Sequence, residues 1–230
     1  MRDEFYRNKN IIITGASGGL GKEFSKILYE RGANLFLLVN SDSNISDLGF
    51  AKEIYRCDLS NRKEIERIIT TEIFSSVDIL INCAGIFPLV SLENMEIDDY
   101  DKVMNINCRA PFILSKGCIA SMKNRGNGLI INIGSSSSYS GSSDCGGYCI
   151  SKHALLGLSR SLTKELKKYN IRVLAFSPGS IKTNMGKTDL RQDFETFLDP
   201  KDVAEFILYS ATFKNEMIVD ESRMNRISIL

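Results

Sequence analysis

Seven short apolar runs limit what this chain can fold into. They are Ile11–Thr14, Leu35–Val39, Glu53–Cys57, Val77–Asn82, Leu129–Ile133, Ile171–Phe176 and Met217–Val219. Most lack polar/apolar alternation and read as strands covered on both faces, the pattern of a parallel sheet. Helical patterns lie between them. Leu20, Phe24, Ile27 and Leu28 fall at i, i+4, i+7 and i+8, one apolar face, and Gly32 stops that helix just past its end. Further helical patterns occupy Asn61–Phe74, Asp98–Lys123 and Gly146–Lys168. A last helix opens at Asp199-Pro200, an N-cap followed by proline at the first helical position. Strands alternating with helices predict an α/β fold, a doubly wound parallel sheet of about seven strands with helices on both faces. Only about a dozen residues separate the second strand from the third, too few for a full crossover helix. That connection is expected to be a turn with at most a short helix.

The chain has 230 residues, enough for one domain with a sizeable core and short for two. We therefore read 1–230 as a single domain. No internal repeat, low-complexity stretch or linker interrupts it. Lys and Arg number 29 and Asp and Glu 28, a net charge of +1. Such a balance gives no electrostatic case for nucleic acid or a membrane surface as partner. The charged segment Met1 to Asn10 lacks an apolar core, so no signal peptide is read, and no apolar run reaches transmembrane length. The six cysteines, Cys57, Cys83, Cys108, Cys118, Cys145 and Cys149, form no CxxC pair and no metal-ligand spacing. They read as reduced thiols of a cytoplasmic protein, with no metal site.

Thr14-Gly15-Ala16-Ser17-Gly18-Gly19-Leu20-Gly21 follows the first strand and opens the first helix. Glycines there let the backbone approach a pyrophosphate, and the helix N-terminus offers it free N–H groups and a positive dipole end. The spacing is TGxxxGxG rather than the GxGxxG of ordinary dinucleotide domains. Farther along, Tyr148 and Lys152 stand four apart on a predicted helix and point to one side. Carbonyl reduction needs a proton donor as hydride arrives, and tyrosine, with a pKa of about 10, is a poor one. A neighbouring ammonium favours tyrosinate and brings the donor closer to neutral pH.

With these motifs in this order the chain resembles the short-chain dehydrogenase/reductase family over nearly its whole length, and is similar to the 3-oxoacyl-acyl carrier protein reductases within it. The resemblance implies a Rossmann-type domain with the active site at the C-terminal ends of the strands. Gly15, Gly19 and Gly21 match the glycines that cradle the cofactor, and Ser17 and Leu20 belong to the same turn. Asp58, in Cys57-Asp58-Leu59, matches the acid that contacts adenine, and Leu59 follows it. Asn82-Cys83-Ala84-Gly85 matches the family's NNAG with Cys83 in place of the second asparagine. Asn82 is there both a cofactor contact and a strand-end structural residue. Ser135 lies thirteen residues before Tyr148, and Asn107 lies 28 before Ser135. Both offsets match the family's catalytic tetrad.

By the same resemblance Ser135 hydrogen-bonds the substrate oxygen, and Lys152 also binds the nicotinamide ribose. Asn107 holds a water linking Lys152 to solvent; its bland reading is a helix kink or a locally satisfied buried polar residue. Pro178-Gly179-Ser180-Ile181-Lys182-Thr183 resembles PGxIxT, in which Ile181 and Thr183 hold the carboxamide. His153, one position past Lys152, points elsewhere and is read as packing.

NAD-preferring relatives carry an acid at the end of the second strand. Here that position is Val39, followed by Asn40 and Ser41, which can hydrogen-bond a 2′-phosphate although Asp42 would repel it. NADP(H) is therefore favoured over NAD(H), even though no arginine stands there. Residues 184–198 match a short substrate lid, and Leu190, Phe194, Phe197 and Leu198 have the spacing of a small amphipathic helix. Lys182, Lys187 and Arg191 would face an anionic substrate, or simply solvent.

The tail departs from the family's terminal VDGG: Val219-Asp220-Glu221-Ser222 continues into Arg223–Leu230. Two faces of the helices around Phe112–Met122 and Cys149–Leu162 are apolar, which predicts a homodimer or homotetramer. The expected function is carbonyl reduction or alcohol oxidation on a small-molecule substrate. The alternative is a non-catalytic regulator on the same fold that senses the nicotinamide cofactor; such proteins lose Tyr or Lys, and this chain has both.

Overall fold

Ile11, Ile12 and Ile13 are all completely buried, yet they face two different cores. That is what a strand at the centre of a covered parallel sheet requires. The structure, a computed structural model, describes residues 3–213 and 217–227. The ends of the charged N-terminal segment (1–2) and of the tail (228–230) lie outside the described residues.

The strands are β1 (Asn10–Thr14), β2 (Asn34–Val39), β3 (Glu53–Arg56), β4 (Ile79–Asn82), β5 (Gly128–Ile133), β6 (Ile171–Pro178) and β7 (Glu221–Met224). They form one parallel sheet in the order β3-β2-β1-β4-β5-β6-β7. Helices α1 (Gly19–Glu30) and α7 (Pro200–Ala211) cover one face. There Phe24, Leu28, Val203 and Ile207 pack on Ile11, Ile13, Leu37 and Leu174. The other face lies under α2 (Arg62–Ile68), α3 (Ile73–Ser76), α5 (Ala110–Arg125) and α6 (Gly146–Leu166). Its core joins Ile65, Phe74, Leu114, Met122 and Leu162 to Ile12, Leu38, Leu80 and Val173. Helix α4 (Ile97–Met104) leads into α5. The short β2–β3 connection holds a single 3-10 turn, Ser46–Leu48, as its length requires.

Four local expectations change. The apolar run Met217–Val219 is irregular backbone, and the seventh strand is Glu221–Met224, paired with Ala175–Pro178. An edge strand needs no apolar run, and this one is held by polar contacts. Glu221 accepts from Tyr139 Oη at 2.8 Å and from Arg160 at 2.8 Å. The helix expected over Asn61–Phe74 breaks into α2 and α3, with Thr70 and Thr71 hydroxyls donating to the Arg67 and Ile68 carbonyls at 2.7 Å. The helix expected over Asp98–Lys123 contains a π-helical turn, Asn105–Arg109, between α4 and α5. Residues 184–198 form two 3-10 turns, Gly186–Thr188 and Phe194–Thr196, in place of an amphipathic helix. Leu190 is 92% exposed there, and the Asp189 carboxylate takes the Arg191 N–H and the Gln192 amide, bonds that compete with helix formation.

Candidate active site

The strand order reverses between β1 and β4, so the loops leaving these strands diverge and open a crevice at their C-terminal ends. A cleft of about 970 Å³ occupies that position. Of the residues singled out in the sequence, Gly15, Ser17, Gly19, Leu20, Gly21, Asn40, Ser41, Asp58, Leu59, Ala84, Gly85, Ser135, Tyr148, Lys152, Pro178, Gly179, Ile181 and Thr183 line it. Asn82 and Asn107 do not.

The glycine turn is built by close backbone approach. Gly15 has φ +67°, and a Cβ on it would sit 2.8 Å from Ala84 Cα. A Cβ on Gly21 would sit 2.1 Å from the Gly15 carbonyl oxygen. Thr14 Oγ1 accepts from the backbone N–H groups of Cys83 and Ala84 at 3.1 and 3.0 Å, locking the β4 loop against the turn. Helix α1 begins at Gly19 with no side-chain cap, so its first N–H groups face the cleft unclaimed by a capping side chain. An uncapped helix start in a glycine cradle fits a pyrophosphate.

Asn82 stands at the end of β4. It is buried behind the cleft, and its Nδ2 donates to Asn132 Oδ1 at 2.8 Å. Its Oδ1 has no hydrogen-bond partner among the described residues. The side chain therefore belongs to a buried polar chain that continues from Asn132 to Ser159 at 2.9 Å, rather than to the loop backbone or the cleft.

At the far end of the cleft, the first turns of α6 carry Tyr148 and Lys152. Tyr148 packs edge-on against Phe87, with ring centroids 4.7 Å apart. Lys152 donates from Nζ to the Ile133 carbonyl at 2.9 Å. Burial pushes the Tyr148 phenol up to about 12, although a hydrogen bond with Ser135 opposes the rise. Burial also brings the Lys152 ammonium down to about 8. In this form desolvation, in a pocket shared with Phe87, Cys145 and Cys149, dominates the Tyr148 phenol.

Asn107 sits in the π-turn and is fully buried. Its Oδ1 accepts from Ile86 N at 2.9 Å; its Nδ2 donates to Ile86 O and to Ser151 Oγ, both at 3.0 Å. The bland reading of Asn107, a helix irregularity with a locally satisfied side chain, describes this geometry. The same residue nevertheless reaches the catalytic end. A Cβ on Gly85 would lie 3.2 Å from Asn107 Oδ1 and 3.6 Å from Lys152 Nζ.

His153 is exposed on α6, with Nδ1 2.8 Å from the Cys149 carbonyl, and so is not a packing residue. Lys182 pairs with Glu195 at 3.1 Å, and Lys187 lies over the Phe194 ring. Arg191 lines the cleft but is shared by Asp189 at 2.7 Å and Asp144 at 2.6 Å. That pairing holds the Asp189 carboxyl down at about 2.

Three contributions were missed. Arg56, at the end of β3, donates to the carbonyls of Asn40, Ser41 and Ser43, placing a cation under the loop after β2. Arg226 lines the cleft from the tail and donates to Gln192 at 2.6 Å and Thr196 at 2.8 Å. Ser151, the x before Lys152 in the Tyr-Lys motif, holds Asn107. Nothing local in the sequence marks the first two, since each acts across the fold.

The family described as short chain dehydrogenase matches residues 9–193. The 3-oxoacyl-[acyl-carrier-protein] reductase FabG of Rickettsia felis is 32% identical over 227 residues, which is 93% of each chain. An uncharacterized oxidoreductase of Thermotoga maritima is 36% identical over 187 residues, 77% of this chain and 74% of that one. A 4-hydroxyisoleucine dehydrogenase solved in complex with NADH is 29% identical, with a TM-score of 0.83 over 95% of this chain and 98% of that one.

Proposed function

Because the chain belongs to the short-chain dehydrogenase family of oxidoreductases, which act on CH–OH and C=O groups, we propose that it is an NADP(H)-dependent oxidoreductase that reduces a carbonyl on a small or acyl-type substrate, or dehydrogenates the corresponding alcohol, by hydride transfer. The observation that carries this reading is the meeting of three groups on one wall of the cleft. Tyr148, Ser135 and Lys152 all line the cleft, with Lys152 one helical turn past Tyr148 and its Nζ 5.7 Å from the Tyr148 ring centroid. The FabG relatives make a 3-oxoacyl thioester the first substrate to try.

A bound nicotinamide supplies or accepts the hydride. The chain's own residues do the rest. Tyr148 Oη gives its proton to the substrate oxygen in reduction and takes it back in oxidation. Ser135 hydrogen-bonds the same oxygen and steadies its developing charge. Lys152 spends one of its three donors on Ile133 and has two for the ribose and for recharging Tyr148. Asn107 keeps one acceptor lone pair on Oδ1 after bonding Ile86, which suits the water of a relay to Lys152. The turn from Gly15 to Gly21, with Asn40, Ser41, Asp58, Leu59, Ala84, Gly85 and the stretch Pro178–Thr183, would hold the dinucleotide.

The preference for NADP(H) rests on two features of the β2 end. Val39 stands where an acid would select NAD(H). Arg56 brings a cation to the carbonyls of residues 40–43. Residues 184–198 serve as the lid in this reading, with Met185, Asp189, Gln192 and Phe197 over the cleft. Phe112 and Ile150, 50% and 42% exposed on α5 and α6, support assembly into a homodimer or homotetramer through these helices. Among the described residues no helix is long and apolar enough to cross a membrane. In this reading the protein is cytoplasmic, which its six free thiols support.

Tyr148→Phe tests the reading. Turnover of NADPH with a 3-oxoacyl thioester should fall by roughly a hundredfold or more, the scale of a lost general acid, while NADPH still binds. Unchanged turnover would remove Tyr148 from the chemistry.

A further inference from the structure

The thiols of Cys145 and Cys149 stand 3.8 Å apart, both buried, at the start of α6. They bracket Tyr148 in sequence and share one apolar cluster with it, against Phe87. Cys145 is the N-cap residue, with extended φ of −148°, so its side chain is not bound to helical geometry. It lines the cleft, whereas Cys149 lies behind it. All six cysteines are free thiols.

We propose that Cys145 and Cys149 form a reversible disulfide, a modification site through which hydroperoxides switch off the Tyr148 chemistry; the effect on turnover rests on the reading of Tyr148 given above. A hydroperoxide entering the cleft meets Cys145 first. The Cys145 sulfur attacks the peroxide; an S–O bond forms, the O–O bond breaks, and the thiol proton leaves with the alcohol. Cys149 Sγ then attacks Cys145 Sγ, the S–S bond forms, and the hydroxyl departs with the Cys149 proton as water. The two thiols together supply the two electrons that reduce the peroxide. Burial pushes the Cys149 thiol up, which suits the resolving partner rather than the group that meets the oxidant.

Closing the pair to a bond of about 2.05 Å draws the two sulfurs together across the first turn of α6. That turn is held by the Cys149 N–H to Cys145 carbonyl bond at 3.0 Å. Tyr148 lies within it, so its phenol must move relative to Ser135. A displacement of about an ångström in a catalytic group costs about a hundredfold in rate.

The reduced full-length protein is treated with hydrogen peroxide and digested with trypsin. Cys145 and Cys149 fall in one peptide, residues 126–152, with no other cysteine. We expect that peptide to lose two hydrogens and to resist alkylation. Amide exchange over 146–150 should rise, and NADPH turnover of a 3-oxoacyl thioester should fall roughly a hundredfold and return with dithiothreitol. Cys149→Ser should keep basal turnover and, under peroxide, yield a Cys145 sulfenic acid that dimedone traps. Peroxide treatment that leaves both thiols free, or links them to other cysteines, overturns the site. A 145–149 disulfide with unchanged turnover overturns the switch. If the reduced protein shows no turnover at all, the substrate reading has failed, and the mass and exchange data still decide whether the disulfide forms and disturbs the turn.

Discussion

Gly19 and Thr183, far apart in sequence, meet in the lining of the cleft: a Cβ on Gly19 would lie 2.5 Å from Thr183 Cγ2 and 2.9 Å from its Cβ. The helix start proposed to hold the pyrophosphate and the loop proposed to hold the carboxamide are thus one packed unit. Gly19→Ala should push Thr183 away and weaken NADPH binding about tenfold or more, or about 1.4 kcal/mol. Thr183→Ser removes the clashing methyl and keeps the hydroxyl, so Gly19→Ala/Thr183→Ser should recover part of the loss. Fluorescence titration of the three variants gives the coupling. Simple additivity of the two changes would separate the residues.

Asn107 joins the loop after β4 to α6 with three hydrogen bonds, the one to Ser151 buried and the two to Ile86 part-buried. Asn107→Ala leaves both the N–H and the carbonyl of Ile86 without that partner, at a cost of about 2–4 kcal/mol. Denaturant unfolding should show it as a lower midpoint at unchanged slope. If Asn107 also serves the relay, turnover of the folded variant should drop while its NADPH affinity stays. Loss of stability with full turnover would leave Asn107 as a purely structural residue.

Lys152 and Tyr148 give the protein a pH signature. Lys152 titrates at about 8 folded, below its ordinary 10.5, because of burial. Between those values the unfolded chain binds more protons, so this group makes stability rise with pH from about 8 towards 10.5. Below about 8 its full penalty applies. Tyr148 acts in the opposite sense: its folded value of about 12 exceeds 10. The folded state therefore holds the extra proton, and stability falls between 10 and 12. Lys152→Met should flatten the wild-type rise in unfolding midpoint between pH 8 and 10. An equal slope in both proteins would mean that Lys152 is not the group titrating.

Much of this architecture was legible because its signals are local. Ile11–Thr14 and Leu129–Ile133 are continuous apolar runs because both their faces are covered, and the Leu20–Leu28 stripe is the buried side of α1. The spacing of Tyr148 and Lys152 puts them on one helix face, and Ser135 was singled out by its resemblance to the family's offset; all three line the cleft. What escaped depends on partners distant in sequence. Glu221–Met224 is a strand because β6 offers an open edge, not because its residues are apolar. Arg56 acts on carbonyls of the neighbouring strand's loop, and Arg226 reaches back to residues 192 and 196. The lid helix failed because Asp189 found side-chain and backbone donors that a periodicity count ignores. The direction of the Asn82 side chain was not legible, because a strand-end asparagine can turn either to the cleft or into the core, and Asn132 in the adjacent strand draws it inward.

The central claim is that this cleft binds a nicotinamide dinucleotide and prefers the phosphorylated form. The chain contains no tryptophan, so the emission of the reduced nicotinamide can be followed with little protein background. Titration with NADPH and, separately, with NADH tests the claim directly. Saturable binding of both, with NADPH tighter by at least about tenfold, or about 1.4 kcal/mol, is the predicted result. Tighter NADH would overturn the part assigned to Val39 and Arg56 while keeping the enzyme class, and no binding of either would contradict the account at its root.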